Sequence, residues 1–69
     1  MERTSVSSSH IRAVGYDPES SILEVEFNDD SVYQYTGVPQ GEFDAMMASD
    51  SKGKYLHARI KDRYPYSRL

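Results

Sequence analysis

A chain of 69 residues with 38% hydrophobic and 28% charged side chains has room for one domain with a modest apolar core, and its composition sets it apart from disordered and membrane-spanning classes. It has no cysteine, which excludes a disulfide framework, a thiolate metal site and a cysteine nucleophile. The net charge of −3 conceals an asymmetry: residues 1–50 carry ten acidic side chains against Arg3 and Arg12, whereas residues 51–69 carry six basic ones against Asp62. Either the basic tail folds back to neutralise an acidic sheet, or it offers an anion-binding surface.

The N-terminal segment, residues 1–8, is polar and Ser-rich and is expected to be a flexible terminus outside the core. It lacks the basic-then-apolar pattern of a secretory signal, so a cytoplasmic location is the default expectation. A single domain is expected over 9–69. Its first strand covers Ser9 to Tyr16 and closes in the turn formers Asp17-Pro18-Glu19-Ser20. Ile22 to Phe27 is the clearest strand, because Leu23, Val25 and Phe27 alternate with Glu24 and Glu26 at the period of two of a half-buried strand. Asn28-Asp29-Asp30-Ser31 supplies turn residues, and Val32 to Val38 forms a third strand.

Two registers are open for this hairpin. A two-residue loop at Asp29-Asp30 would pair Val32 with Phe27 and leave Tyr33 and Tyr35 on the exposed face with Glu24 and Glu26. A three-residue loop with a left-handed Asp30 would set Tyr33 opposite Val25 and Tyr35 opposite Leu23, both facing the core. The scarcity of other apolar groups favours the second.

Val38-Pro39 marks the change to helix, since proline lacks an amide hydrogen that the first turn does not use. Phe43, Met46 and Met47 then form one apolar stripe over Pro39 to Ala48. Asp50-Ser51-Lys52-Gly53 breaks that helix. Tyr55, Leu56 and Ile60 share a face of a second, basic helix running to about Arg63, and Pro65 ends it. The fold class expected is α+β: a three-stranded antiparallel β-meander followed by two short helices packed on one sheet face. Its core is expected to hold Leu23, Val25, Phe27, Phe43, Met47, Leu56 and Ile60.

No catalytic constellation is visible. His10 and His57 are far apart in sequence and match no local metal-ligand spacing. No serine sits in a Gly-x-Ser-x-Gly elbow, and Gly37-Val38-Pro39-Gln40-Gly41 lacks the lysine of a phosphate-binding loop. The reading is therefore a non-enzyme without metal or cofactor. What does suggest binding is the aromatic load, six tyrosines and two phenylalanines, together with the basic segment after Asp50. Tyrosines can stack on bases while lysines and arginines neutralise phosphates.

The Tyr33-Gln34-Tyr35 centre, Val38-Pro39, Phe43, Ser51-x-Gly53-x-Tyr55, Ile60 and Tyr64-x-Tyr66, in that order and spacing, resemble the KTSC domain. That family is named for its occurrence at the C-terminus of some lysyl-tRNA synthetases and also occurs as free-standing small bacterial proteins. The resemblance covers residues 8–69 and departs at Asp30, where glycine would suit the turn better. It implies RNA as a ligand, through the synthetase association.

The sequence thus yields a binding module for RNA, with Lys52, Lys54, Arg59 and Arg63 as phosphate contacts and Tyr33, Tyr35 and Tyr55 as stacking residues. Lys52 and Lys54 flank Gly53, whose small size would let a phosphate approach the backbone. Arg59 and Arg63, four apart on one helical face, require an anion beside them, either a phosphate or a carboxylate of the acidic half. The alternative is a protein-interaction or homodimerisation module using the acidic strand face or a sheet edge. No membrane partner is expected.

Overall fold

The computed structural model describes residues 3–6 and 8–69; Met1, Glu2 and Ser7 lie outside the described residues, and with them that part of the expected flexible terminus. The chain forms β1 (Thr4–Ser5), β2 (Ile11–Asp17), β3 (Ile22–Phe27), β4 (Val32–Tyr35), α1 (Gln40–Ala48), α2 (Lys52–Tyr55), a π-helical turn (Leu56–Ile60) and β5 (Tyr66–Arg68). The strands make one antiparallel sheet in the order β1-β2-β3-β4-β5.

The α+β class and the central meander agree with the sequence reading, but the sheet has five strands where three were expected. Both additions are short, polar edge strands. Thr4 and Ser5 pair with Val14 and Ala13 while staying exposed, and Tyr66 and Arg68 pair with Tyr35 and Tyr33. A two- or three-residue strand held by a neighbour's backbone needs no apolar alternation of its own, so periodicity does not reveal it.

The β3–β4 hairpin takes the three-residue loop. The Phe27 amide donates to Ser31 O at 2.9 Å and the Asp30 amide to Phe27 O at 3.0 Å, with Asp30 left-handed at φ 72°. Val25 consequently faces Tyr33 and Leu23 faces Tyr35. On β2, Arg12 is an extra residue between the pairs Ile11–Phe27 and Ala13–Glu26, a β-bulge that turns its side chain out to solvent.

Helix α1 starts after Pro39, as its missing amide hydrogen allows. Met46 is fully buried, and Phe43 stacks on Tyr16 with ring centres 4.8 Å apart. The second helix begins earlier than expected, at Lys52, because Ser51 acts as its N-cap and its Oγ accepts the Lys54 amide. It then widens: the Lys61 amide donates to Leu56 O at 2.8 Å, five residues back. The helix closes at Ile60, and Arg63 and Tyr64 turn the chain towards Pro65 and β5.

Ile11, Val14, Leu23, Val25, Tyr35, Val38, Met46, Leu56 and Ile60 form the buried core. Of the expected core residues, Phe27, Phe43 and Met47 are only half-buried at its margin. Neighbours that the sequence did not rank, Met46 and Val38 among them, fill the centre. In a domain this small the outermost aromatic rings cannot be enclosed on every side.

Candidate nucleic-acid groove

Successive strand residues point to opposite faces, so the register decides what each face of the sheet carries. One face collects Glu24, Glu26 and Gln34, and this acidic surface is neutralised from within the N-terminal half of the chain. Glu24 is 5% exposed and accepts hydrogen bonds from Arg3 Nε and from Gln34 Nε2, the latter at 2.9 Å. Glu26 accepts from Arg3 at 3.0 Å and from Arg12 at 3.1 Å, and Arg12 also reaches Asp30 at 2.7 Å and the Asn28 carbonyl at 3.0 Å. Burial pushes the Glu24 carboxyl up, but the hydrogen bonds from Gln34 and Arg3 outweigh it and hold the group below its ordinary value. The basic tail takes no part in these ion pairs. Among the described residues they are made by Arg3 and Arg12 alone.

The other face carries Val14, Tyr16, Leu23, Val25, Phe27, Tyr33, Tyr35, Tyr66 and Arg68. At the β4–β5 edge a groove of about 1050 Å³ opens between this face and the second helix. Its floor is aromatic. Tyr33 lies 5.5 Å from Phe27 edge-on, 6.4 Å from Tyr35 and 5.4 Å from Tyr66, measured between ring centres. Tyr35 is buried, and burial raises its phenol above the ordinary value and keeps it neutral. Tyr66 is 56% exposed. Arg68 sets its guanidinium 5.9 Å from the centre of the Tyr33 ring, within cation–π range.

The wall facing these rings is the helix, through Lys54, His57, Ala58 and Lys61. Lys54, His57 and Lys61 are all exposed, so two ammonium groups stand across the groove from the aromatic floor. His10 lies beside Gly53, and the hairpin residues Asn28, Asp29 and Ser31 close one end. Both histidines line the groove, but no group of three metal-ligating side chains occurs among the described residues.

Of the seven residues singled out from sequence, Lys54, Tyr33 and Tyr35 line the groove. Lys52, Tyr55, Arg59 and Arg63 do not. The Tyr55 hydroxyl donates to Glu42 Oε2 at 2.9 Å and so ties α2 to α1; burial, then the Glu42 bond, raise its phenol, while Arg59 nearby acts in the opposite sense. Arg59 therefore sits on the α1 side of the helix. Arg63 follows the end of the helix, so the expected i, i+4 stripe is not formed, and neither arginine has an ion-pair partner among the described residues. The side of Gly53 where a Cβ would stand meets His10 at 3.6 Å and Ser8 at 3.7 Å. On that side the glycine faces protein, and it also lines the groove.

The sequence reading missed Lys61, His57, His10 and Tyr66. For Lys61 a signal existed, since Lys54, His57 and Lys61 follow the 0, 3, 7 spacing of one helix face. Tyr66 stood out only within Tyr64-x-Tyr66, and no local pattern showed that β5 would bring it to the groove.

The architecture is a five-stranded antiparallel sheet with the helices on one face and an aromatic edge beside Lys54 and Lys61. The model of the KTSC domain matches residues 7–64, and the chain belongs to the KTSC domain family. It is 40% identical over its whole length to an uncharacterised protein of Stutzerimonas stutzeri, of which it spans 99%. The KTSC domain protein of Yersinia pestis, known as a crystal structure, superimposes with a TM-score of 0.95 at 37% identity, covering 99% of this chain and 96% of that one. A lysine–tRNA ligase of Nostoc is 36% identical over 61 residues, 88% of this chain and 11% of the ligase. No helix among the described residues is long and apolar enough to cross a membrane.

Proposed function

We propose that this KTSC domain is a non-catalytic module for single-stranded RNA, which lies along the groove with bases on Tyr33 and Tyr66 and phosphates beside Lys54 and Lys61. The observation that carries the reading is the juxtaposition of an aromatic floor on β4 and β5, in which Tyr66 is exposed and Tyr33 half-buried, with two exposed lysines on the facing helical wall. Every base has a π-face, and stacking on an aromatic side chain contributes about 1–3 kcal/mol per base. Duplexes keep their bases stacked on one another, so a recessed aromatic floor favours unpaired strands. The kinship with part of a lysine–tRNA ligase, a protein that handles RNA, supports the same ligand.

The measurement is fluorescence anisotropy with a labelled single-stranded RNA octamer and its duplex, at 50 and 200 mM salt. Two phosphate contacts give a log–log salt slope of about −1.4 and hence about sevenfold weaker binding at the higher salt. Tyr66→Ala, at an exposed side chain whose loss spares the core, is expected to weaken binding at least fivefold, and Lys54→Ala with Lys61→Ala to flatten the salt slope. Equal binding of duplex and single strand, or a Tyr66→Ala variant that binds as well as the parent, would contradict the proposal.

A second reading draws on the exposure of Tyr66 and Leu69 beside the open edge of β5. Paired edge to edge, two copies would cover both side chains. A dimer at micromolar concentration in sedimentation equilibrium, abolished by Tyr66→Ala, would favour it over RNA.

A further inference from the structure

The groove is not uniformly suited to an anion. Asp29, exposed in the turn between β3 and β4, is among the residues that line it. The fold holds this carboxylate in one orientation: Oδ1 accepts both the Ser31 amide and the Ser31 hydroxyl. Those two bonds also hold the group below the ordinary carboxylate range, so it is ionised at neutral pH. Oδ2 accepts no hydrogen bond among the described residues. The Arg68 charge also lowers the carboxyl, but no ion pair joins the two among the described residues, so the free oxygen is left to accept from a donor.

On this ground we infer that Asp29 makes the groove selective for base identity, favouring guanine and disfavouring uracil at the position stacked next to the hairpin. The inference rests on the RNA reading given above. Guanine presents two donors side by side on its Watson–Crick edge, the N1 imino hydrogen and the N2 amino group, and one carboxylate oxygen can accept both. Cytosine and adenine present a single amino group next to a ring-nitrogen acceptor. Uracil presents one imino hydrogen between two carbonyl oxygens, both of which repel a carboxylate. The expected order is therefore guanine first, adenine and cytosine between, uracil last. Carboxylates pair with base donors in other nucleic-acid interfaces by the same complementarity.

The test uses the full chain and four single-stranded pentaribonucleotides, UUGUU, UUAUU, UUCUU and UUUUU, compared by anisotropy at 50 mM salt. UUGUU is expected to bind about tenfold more tightly than UUUUU, within the range for one good base contact. Asp29→Asn keeps an oxygen that can accept from Ser31 but replaces the free anionic oxygen with an amide. It is expected to reduce the ratio of guanine to uracil affinity to less than twofold and to tighten UUUUU binding, since a repelling charge is gone. Ser31→Ala, which releases the carboxylate from its fixed orientation, should lower the ratio part of the way. Equal binding of the four parent complexes, with binding present, overturns the specificity and leaves the RNA reading standing. Failure of all four to bind overturns both. A guanine preference that survives Asp29→Asn removes Asp29 from the role.

Discussion

Replacing Asp30 with glycine sets two effects of opposite sign against each other at the turn that fixes the register of the aromatic floor. Asp30 holds φ at 72°, a left-handed conformation that costs an L-residue about 1–2 kcal/mol and costs glycine nothing. Glycine gives back about 0.5–1 kcal/mol through the greater freedom of its unfolded chain. The net gain from the backbone is thus about 0.5–1 kcal/mol. Against it stands the hydrogen-bonded ion pair with Arg12 at 2.7 Å. Asp30 is largely exposed there, at 80% of its side chain, and Arg12 retains Glu26 and the Asn28 carbonyl without it. An exposed pair of that kind is weak and is screened by salt. Asp30→Gly is therefore expected to raise the melting temperature by about 3–6 °C in a domain of this size. Asp30→Ala, which loses the pair and keeps the strained Cβ, should lower it. The assay is thermal unfolding followed by circular dichroism in 0.05 and 0.5 M NaCl. A lower melting temperature for Asp30→Gly in high salt would refute the reasoning, because screening leaves only the backbone effect.

Met46 is fully buried under the sheet, so Met46→Ala is expected to cost about 2–5 kcal/mol. With a total stability of about 3–10 kcal/mol for a chain of this length, the urea midpoint should fall by about a fifth or more, whereas Met46→Leu should leave it nearly unchanged. The Glu24 carboxyl has a lower pKa in the folded chain than in the unfolded one. The unfolded chain therefore binds its proton first on acidification, and the stabilisation, complete above the ordinary carboxylate range, is lost as pH falls through the folded value. Urea midpoints between pH 7 and pH 3 should fall less steeply in Glu24→Gln than in the parent, and an unchanged slope would exclude Glu24 as a source of acid sensitivity.

How much of this was legible in the sequence depended on the range of the interaction concerned. Leu23, Val25 and Phe27 announced β3 because strand alternation is local. The register of the hairpin could also be argued from sequence, since two registers gave two different fates for Tyr33 and Tyr35, and only one buried a ring as the core required. The edge strands were not legible: Thr4 and Ser5 carry no pattern, and their place is set by backbone pairing with Ala13 and Val14. The site was legible where it lay on β4, through Tyr33 and Tyr35. It was obscured on the helix, because the wider turn over Leu56–Ile60 and the early end at Ile60 broke the even spacing that had grouped Arg59 with Arg63. The charge asymmetry was real, but its resolution was not foreseeable from counts. The only two basic residues of the acidic half answer the carboxylates of β3, and the later cations remain on the other side of the molecule's chemistry.

The order of strands in the sheet has a consequence for how such a domain is carried by a larger protein. β1 and β5 lie at opposite margins, four strand spacings or about 19 Å apart. Whatever polypeptide is attached ahead of Arg3 joins the margin remote from Tyr66. A leash, a dye or a whole neighbouring enzyme can be coupled there and leave the aromatic floor open to traffic, whereas an extension after Arg68 emerges alongside Tyr33 and competes for the same space.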